Sequence, residues 1–294
     1  MELFELLANA PSLCTILAGV VGLLVGSFLN VVIYRLPIMM QRGWRKDCIE
    51  YLQLDAANFP DDGQEPVFNL VVPLSRCPNC HTAIKPYQNI PVISYVWLKG
   101  KCAACSHRIS PRYPIIEAIT GALSVAIAWH FGYSEQTLLA LLLTWALVAL
   151  SFIDIDHHLL PDNITLPLVW LGLILSLPGY FTDTHSSIIG AVAGYLSLWS
   201  VFHLFKLLTG KEGMGYGDFK LLALFGAWLG WQYLPLIILL STLVGAVIGV
   251  AMIVLGKQER SKPIPFGPYL AIAGWIALLW GKEINQLYLH SAGL

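Results

Sequence analysis

Several uninterrupted apolar runs, each about as long as a lipid bilayer is thick, constrain this chain more than any other feature of its sequence. A bilayer core about 30 Å thick needs roughly 20 apolar helical residues for each crossing. The chain is 56% apolar and only 12% charged, whereas soluble domains average about 25% charged residues. So few charges could not cover the surface of a soluble globule, and they also exclude a disordered tail or a coiled coil. The sequence therefore predicts an all-α polytopic membrane protein.

The apolar runs predict about eight transmembrane helices. The longest run, Phe219–Leu255, holds 37 residues and would extend about 56 Å as one helix, too far for a single crossing. The stretch Gly230–Pro235 interrupts it with residues that break helices, so we predict two spans there, the first of them short. The other six spans are Leu13–Tyr34, Pro114–Phe131, Gln136–Ile153, Ile164–Phe181, Ser186–Leu208 and Gly267–Gly281.

Lysine and arginine are distributed unequally between the loops that these spans create. With eight spans and the N-terminus outside, one side receives 16 of the 17 Lys and Arg residues, and only Lys282 lies opposite. The positive-inside rule places the basic side in the cytoplasm. Both termini are then expected outside, and the net charge of −1 argues against a nucleic-acid partner. The basic side comprises Arg35–Arg112, Asp154–Asn163, the Lys206–Lys220 region and Lys257–Lys262.

These loops divide the chain into four predicted regions. Residues 13–34 form the first transmembrane helix, and residues 35–112 form a cytoplasmic domain between helices 1 and 2. Residues 113–281 form a membrane domain of seven helices, and residues 282–294 form a short tail outside. The N-terminus lacks a basic region before its apolar run, so we expect the first span to remain in the mature protein.

Two Cys-x-x-Cys motifs in the 35–112 region predict a zinc site. Cys77 and Cys80 are separated by 21 residues from Cys102 and Cys105, a spacing close to that of four-thiolate zinc sites. Such a site leaves no open position for water, so one structural zinc per chain is expected. Two disulfides or a redox pair are the alternatives, which a cytoplasmic location disfavours. His81 and His107 flank the motifs and could each replace a cysteine.

Two aspartates stand where predicted helices meet the cytoplasmic face. Asp154 ends the third span and Asp218 begins the sixth, and acidic residues near a membrane are rare and often functional. Two carboxylates within about 3 Å cannot both ionise, so one would hold a proton while the other accepts one from water. That is the chemistry of an aspartic peptidase. Gly215 and Gly217 would let backbone approach a partner helix or a substrate.

Simpler interpretations apply to several neighbouring residues. Asp162 is expected to cap the fourth span, and Asp156 is either interfacial or part of the site. His157 and His158 lack a zinc-peptidase pattern and are expected at the interface. Lys220 either orients a carboxylate or extends to the interface.

The combined pattern resembles the bacterial type IV prepilin peptidases, which are GxGD-type intramembrane aspartic peptidases. The resemblance covers essentially the whole chain. Its motifs are Gly26–Pro37, both Cys-x-x-Cys pairs, Asn89–Tyr95, Ser110–Pro114, Asp154 with Pro161-Asp162, and Gly215–Lys220.

This resemblance implies specific roles. Asp154 and Asp218 would form the catalytic pair, and the substrates would be prepilins and type II secretion pseudopilins with basic leader peptides. The four cysteines accompany a second activity in the family, N-methylation of the new N-terminus with S-adenosylmethionine, for which Gly100 is the matching cofactor residue. The protein would then lie in the bacterial inner membrane with its catalytic face cytoplasmic and both termini periplasmic.

Two other functional classes remain open at this level. A polytopic proton- or cation-coupled transporter with a cytoplasmic zinc module would use the aspartates as a relay, although carriers often place such groups near the midplane. A membrane thiol oxidoreductase would use the Cys-x-x-Cys pairs. The acidic segment Gln41–Glu65 either attracts a basic leader or is a solvated loop.

Overall fold

The protein is described from a computed structural model that covers residues 10–55, 67–254 and 265–292, with backbone alone at 252–253, 288–289 and 291–292. All regular structure in these ranges is helical apart from two isolated β-bridges. The chain forms two compact units that divide between Thr137 and Leu138. The α-helices are α1 Pro11–Tyr51, α2 Ile93–Trp97, α3 Arg112–Phe131, α4 Glu135–His157, α5 Asp162–Leu175, α6 Thr184–Thr209, α7 Tyr216–Leu229, α8 Leu234–Val254 and α9 Gly267–Ala292.

The all-α architecture agrees with the sequence prediction, and five helical stretches in the described ranges are long and apolar enough to cross a membrane. Helices α5 and α7 have 14 residues each and reach only about 21 Å. The count of eight crossings therefore stays a prediction. The five stretches are Pro11–Tyr51, Arg112–Phe131, Glu135–His157, Thr184–Thr209 and Trp231–Ala251.

Some predicted limits differ from the helices. Helix α1 continues 17 residues past Tyr34 and passes through Pro37, because the predicted limit followed the apolar residues whereas helical hydrogen bonding continues through polar ones. The buried Arg35 guanidinium donates hydrogen bonds to two carbonyls of residues 69–73 and ties this turn to that segment. Helix α5 ends at Leu175 rather than Phe181, before a turn with Gly179 at φ +75°. Helix α9 continues to residue 292, into the predicted tail. The Lys257–Lys262 cluster and residues 56–65 of the acidic segment lie outside the described residues.

Small residues bring α1 and α3 together in the first unit. A Cβ at Gly22 would overlap the Ser124 side chain, and a Cβ at Gly26 would come within 2.8 Å of the Glu117 Cα. Membrane helices associate through such small residues because close backbone approach gains packing that lipid cannot match.

In the second unit, helix α7 is the central element. Every residue from Phe219 to Leu229 except Lys220 is buried, and α5, α6 and α9 all contact α7. Polar side chains bond to backbone carbonyls here: Trp228 Nε1 donates to Leu168 O at 2.8 Å, and Ser187 Oγ donates to Ala227 O at 2.6 Å. Such bonds between helices fix the position of α7.

The predicted break in the 37-residue apolar run is confirmed. Helix α7 ends at Leu229, and Gly230 adopts φ +89°, in the region that glycine enters without steric cost. A short 3₁₀ turn over Trp231–Tyr233 leads into α8. Pro235 is the second residue of α8, where its missing N–H leaves no donor unpaired.

We expect Gly226→Ala to lower stability because α6 and α7 touch at Gly226. A Cβ there would overlap the backbone of Gly190, which cannot move aside as a side chain can. Overpacking of this kind typically costs about 1–3 kcal/mol, which thermal unfolding in detergent would measure. Gly43→Ala is the control, because a Cβ at Gly43 in α1 meets nothing within 4 Å. Equal unfolding temperatures for both variants would contradict the predicted close contact.

Candidate active site and metal centre

The two predicted catalytic aspartates lie together in the second unit. Asp154 lies near the C-terminal end of α4, and Asp218 lies in the first turn of α7. Each is only 6% exposed, and both line one cavity of about 280 Å³. Residues 64 positions apart in the chain thus line one cavity.

Backbone N–H groups hold both carboxylates. Asp218 Oδ2 accepts a hydrogen bond from Gly215 N–H at 3.2 Å, and the Asp218 N–H donates to Gly215 O at 3.2 Å. Asp154 Oδ2 accepts a hydrogen bond from Gly267 N–H at 3.0 Å. Buried carboxylates are costly unless they are hydrogen-bonded, so these contacts make the buried pair tenable and fix its orientation.

The two glycines before Asp218 have different surroundings. A Cβ at Gly217 would come within 2.7 Å of the Leu160 Cβ, so this glycine permits close packing against the segment after α4. A Cβ at Gly215 would meet no atom nearer than Asp218 Oδ2 at 3.9 Å. Because Gly215 lines the cavity, its small size leaves space there. The sequence predicted backbone approach at both positions, and the packing contact occurs at Gly217.

The four cysteines of the first unit form a compact cluster. Their Sγ atoms all lie within 4.8 Å of one another. The Cys77–Cys105 and Cys80–Cys102 Sγ–Sγ distances are 3.8 and 3.9 Å. Four thiolates about 2.3 Å from a tetrahedral zinc would be separated by about 3.8 Å, so the donor set and its dimensions fit zinc. All four are free cysteines rather than disulfides.

Two similar hairpins carry these cysteines. In the first, Cys77 N–H donates to Thr82 O at 3.0 Å, and in the second Cys102 N–H donates to His107 O at 2.8 Å. The residue after each motif, His81 or Ser106, has a positive φ of 55° or 57°. This repeated geometry turns both thiols of each motif toward one point.

The thiol pKa is lowered at Cys80 and Cys102, which favours their thiolates, and it is raised at Cys77, where burial and hydrogen bonds to neighbouring cysteines outweigh backbone hydrogen bonds. The Thr82 side chain and backbone hydrogen-bond to Cys80 and lower the pKa of its thiol from 9.0 to about 6. The thiolate is the form that binds metals. Within the described residues the cluster consists of cysteines alone, and the flanking His81 and His107 are not part of it.

Comparison with known proteins shows to which family the chain belongs. Residues 20–131 match the bacterial peptidase A24 N-terminal domain, and residues 141–250 match the type IV leader peptidase family. The chain is 58% identical over 290 residues to the prepilin leader peptidase/N-methyltransferase of Stutzerimonas stutzeri, which covers 99% of each chain. This chain belongs to the type IV leader peptidase family. The cysteine cluster lies in the first matched region, and both aspartates lie in the second.

Other relatives of this leader peptidase family are similarly close. The proteins of the same description from Pseudomonas aeruginosa and Aeromonas hydrophila are 57% and 56% identical, over 100% and 98% of this chain and 99% and 98% of their own lengths. No solved structure matches the chain significantly.

In this member of the leader peptidase family, some residues near the two aspartates lie in positions that differ from the predicted ones. The expectation that Asp162 caps α5 is wrong, because Pro161 occupies the N-cap position and Asp162 is the first helical residue. The Asp162 carboxylate instead accepts two hydrogen bonds from Lys220 Nζ, at 2.7 and 2.8 Å. This ion pair joins α5 to α7. His158 lines the cavity, whereas Asp156 is exposed and is not among the lining residues.

Sequence reasoning missed one wall of the leader peptidase cavity. Pro265 and Phe266 line it, and Gly267 contacts Asp154 directly. The sequence did carry a signal, because Gly267 lies between Phe266 and Pro268 at the start of the last apolar run. Without the tertiary fold, that signal indicated only a helix start.

Gly100 lies in the hairpin of the second cysteine pair and does not line the cavity that contains the aspartates. It adopts φ +67°, and a Cβ there would come within 2.9 Å of the Tyr95 ring. The Gly100 carbonyl accepts a hydrogen bond from Ile109 N–H at 2.8 Å. The positive φ and the close packing of Tyr95 both favour glycine at this position.

Proposed function

We propose that this protein is a membrane aspartic endopeptidase that removes the basic leader peptide from type IV prepilins and type II secretion pseudopilins. A second activity then methylates the new N-terminus. The observation that carries the proposal is the burial of Asp154 and Asp218 in one cavity, in a chain closely related to proteins called prepilin leader peptidase/N-methyltransferase.

Asp154 and Asp218 share the work of peptide hydrolysis in this proposal. Because two adjacent carboxylates cannot both be ionised, one holds a proton and the other removes a proton from water. The water oxygen attacks the scissile carbonyl carbon while the protonated carboxyl donates to the carbonyl oxygen. The resulting gem-diol collapses as the carboxyl that took the proton from water passes it to the leaving amine nitrogen. The other carboxylate takes a proton back from a gem-diol hydroxyl, which restores the starting state. The N–H groups of Gly215 and Gly267 keep both carboxylates in place throughout.

The catalytic face is cytoplasmic in this proposal, and the protein spans the bacterial inner membrane with both termini periplasmic. The distribution of Lys and Arg supports this orientation. A leader that carries positive charge would also remain in the cytoplasm, where the cavity could receive it. Labelling of lysines in intact cells with a membrane-impermeant amine reagent would test the orientation, because only lysines on the periplasmic side should react.

Cys77, Cys80, Cys102 and Cys105 hold one structural zinc in this proposal. The thiol spacing supports it, and four protein ligands leave no position for substrate. The metal stabilises the two hairpins and has no part in hydrolysis.

S-adenosylmethionine supplies the methyl group of the second activity from its sulfonium. The relatives' names support this activity, and the family resemblance makes Gly100 its candidate residue. The close packing of Tyr95 against Gly100 makes this position sensitive to any added side chain.

A direct assay tests the peptidase proposal. The purified protein in detergent is incubated with a prepilin, and mass spectrometry follows the loss of the leader. Addition of S-adenosylmethionine should then add one methyl group to the new N-terminus. Intact prepilin after prolonged incubation with folded protein would contradict the proposal, and cleavage without methylation would contradict its second half.

We expect Gly100→Ala to suppress methylation while cleavage continues, because Gly100 belongs to the first compact unit and both aspartates belong to the second. The same change strains φ +67° and crowds Tyr95, so zinc content is measured on the same sample. Gly132→Ala is the matched control, since Gly132 also has a positive φ of 63° but meets nothing within 4 Å. Normal methylation in Gly100→Ala would place the donor pocket elsewhere. Joint loss of zinc and methylation would show that Gly100 acts through the hairpin.

A further inference from the structure

We propose that Gly267, the first residue of α9, is a positioning residue that fixes the Asp154 carboxylate for hydrolysis, and that the preceding Pro265 and Phe266 form a wall of the cleavage site. This inference rests on the proposed peptidase function. It joins an element 113 residues further along the chain to the catalytic pair through a single hydrogen bond of 3.0 Å.

Asp154 occupies an unfavourable end of its own helix. It is the fourth residue from the C-terminus of α4, where the carbonyl ends of the helix dipole disfavour a negative charge. Asp218 differs, because it lies in the first turn of α7, where the dipole favours a negative charge. Asp154 therefore needs a donor from another element, and Gly267 N–H supplies it.

At the start of α9, only some backbone N–H groups are available to bond to other elements. The first four residues of a helix lack partners within the helix for their N–H groups. In α9, Tyr269 and Leu270 donate to Phe266 O at 3.1 and 3.2 Å, and Pro268 has no N–H to donate. Gly267 N–H is thus the one donor of this turn that is directed to the carboxylate.

The absence of a side chain at Gly267 permits this contact. A Cβ there would come within 2.7 Å of Asp154 Oδ2 and 3.1 Å of Leu160 Cδ2. The backbone of Gly267 has no positive φ, so any residue could adopt its conformation. Space beside Asp154, rather than backbone freedom, is what this position requires.

The two residues before Gly267 extend the role of this segment. Pro265 and Phe266 line the same cavity as both aspartates. A shift at the start of α9 would therefore move the carboxylate and a cavity wall together. Movement of about 1 Å in a catalytic group can cost about 100-fold in rate.

Gly267→Ala tests the proposal. The added methyl group should displace the Asp154 carboxylate, so we expect kcat for leader cleavage to fall about 10- to 100-fold while KM changes less than about threefold. Gly281→Ala is the matched control in the same helix. A Cβ at Gly281 would also crowd a side chain, the Tyr233 ring at 2.9 Å, but it is not near Asp154.

A double-mutant cycle of unfolding temperatures (the stability cycle) provides a second measurement that does not depend on activity. Gly267→Ala should lower the unfolding temperature of the otherwise unchanged protein, and the decrease should be smaller in an Asp154→Ala background, where the carboxylate is gone. Direct neighbours show such coupling, whereas independent sites give additive changes. Gly281→Ala should cause the same decrease in both backgrounds.

The outcomes separate this inference from the peptidase proposal. If the unchanged protein cleaves prepilin and Gly267→Ala cleaves at the same kcat, the positioning role is wrong and the peptidase proposal stands. Equal loss of kcat in Gly267→Ala and Gly281→Ala, or additive stability changes, would also overturn the positioning role. If the unchanged protein cleaves no prepilin, the proposed function fails, and the stability cycle still tests the contact.

Discussion

Asp154→Asn and Asp218→Asn should each abolish leader cleavage, with a loss of at least about 10²- to 10⁴-fold, the usual contribution of acid–base groups. An amide can neither hold the shared proton nor accept one from water. Both side chains are nearly isosteric with the originals and keep an acceptor oxygen for Gly267 N–H or Gly215 N–H. The variants should therefore insert into membranes and unfold at near-normal temperatures.

Asp156→Asn is the matched control for Asp154→Asn. Asp156 belongs to the same helix but is exposed and does not line the cavity, so cleavage should remain near normal. Asp162→Asn should also lower the rate of leader cleavage less than Asp154→Asn or Asp218→Asn does. A dyad variant that keeps near-normal turnover would remove that residue from the proposed mechanism.

Asp218→Asn also separates the two activities. The cysteine hairpins and Gly100 belong to the first compact unit, whereas both aspartates belong to the second. The variant should fail to cleave prepilin but still methylate a pre-trimmed substrate with a free N-terminal phenylalanine. If it cannot methylate that substrate, the two activities are not independent.

Loss of the metal is the second large effect that we expect. The purified protein should contain one zinc per chain, and Cys77→Ser should remove it, because three thiolates and a hydroxyl bind zinc far more weakly than four thiolates. Site formation is worth about 10–16 kcal/mol in small zinc-finger peptides. The hairpins around Cys77 and Cys102 should then become sensitive to proteolysis, which gel analysis and elemental analysis would follow.

Cys48→Ser is the control for the metal prediction. Cys48 is an exposed free cysteine outside the cluster, and its replacement should leave zinc content unchanged. Protein without zinc as isolated, or a non-reducing mass that shows two disulfides, would contradict the prediction. Retention of cleavage by a zinc-free Cys77→Ser variant would agree with a purely structural metal.

The cysteine cluster could be predicted from sequence because its information is local. Each Cys-x-x-Cys motif places two thiols on one tight turn. The tertiary fold therefore had only to bring the two turns together. The hairpin bonds of Cys77 and Cys102 then bring the four sulfurs to the separations that zinc requires. The positive φ of His81 and Ser106 had no sequence signal, since neither residue is glycine.

The limits of α1 and the role of Asp162 were harder to predict because they depend on distant residues. Hydropathy falls after Tyr34, but the helix continues to Tyr51, and Arg35 in this region is held by carbonyls of residues 69–73. Asp162 follows a proline and looks like a cap, yet its carboxylate bonds to Lys220, 58 residues away. Local preference favoured the backbone of the same helix as the partner of Asp162, and the tertiary fold provided Lys220 instead.

The sequence by itself determined the helical membrane architecture, the break near Gly230 and the two aspartates as a candidate pair. These follow from apolar length, chain breakers and the cost of acidic groups near lipid, all of which act over a few residues. Only the tertiary structure decided that the start of α9 reaches Asp154. The Gly267 N–H becomes a partner for that carboxylate because Pro268 has no N–H, because Phe266 O accepts from the next two N–H groups, and because no Cβ blocks the approach. That combination exists only once helices far apart in the chain have packed together.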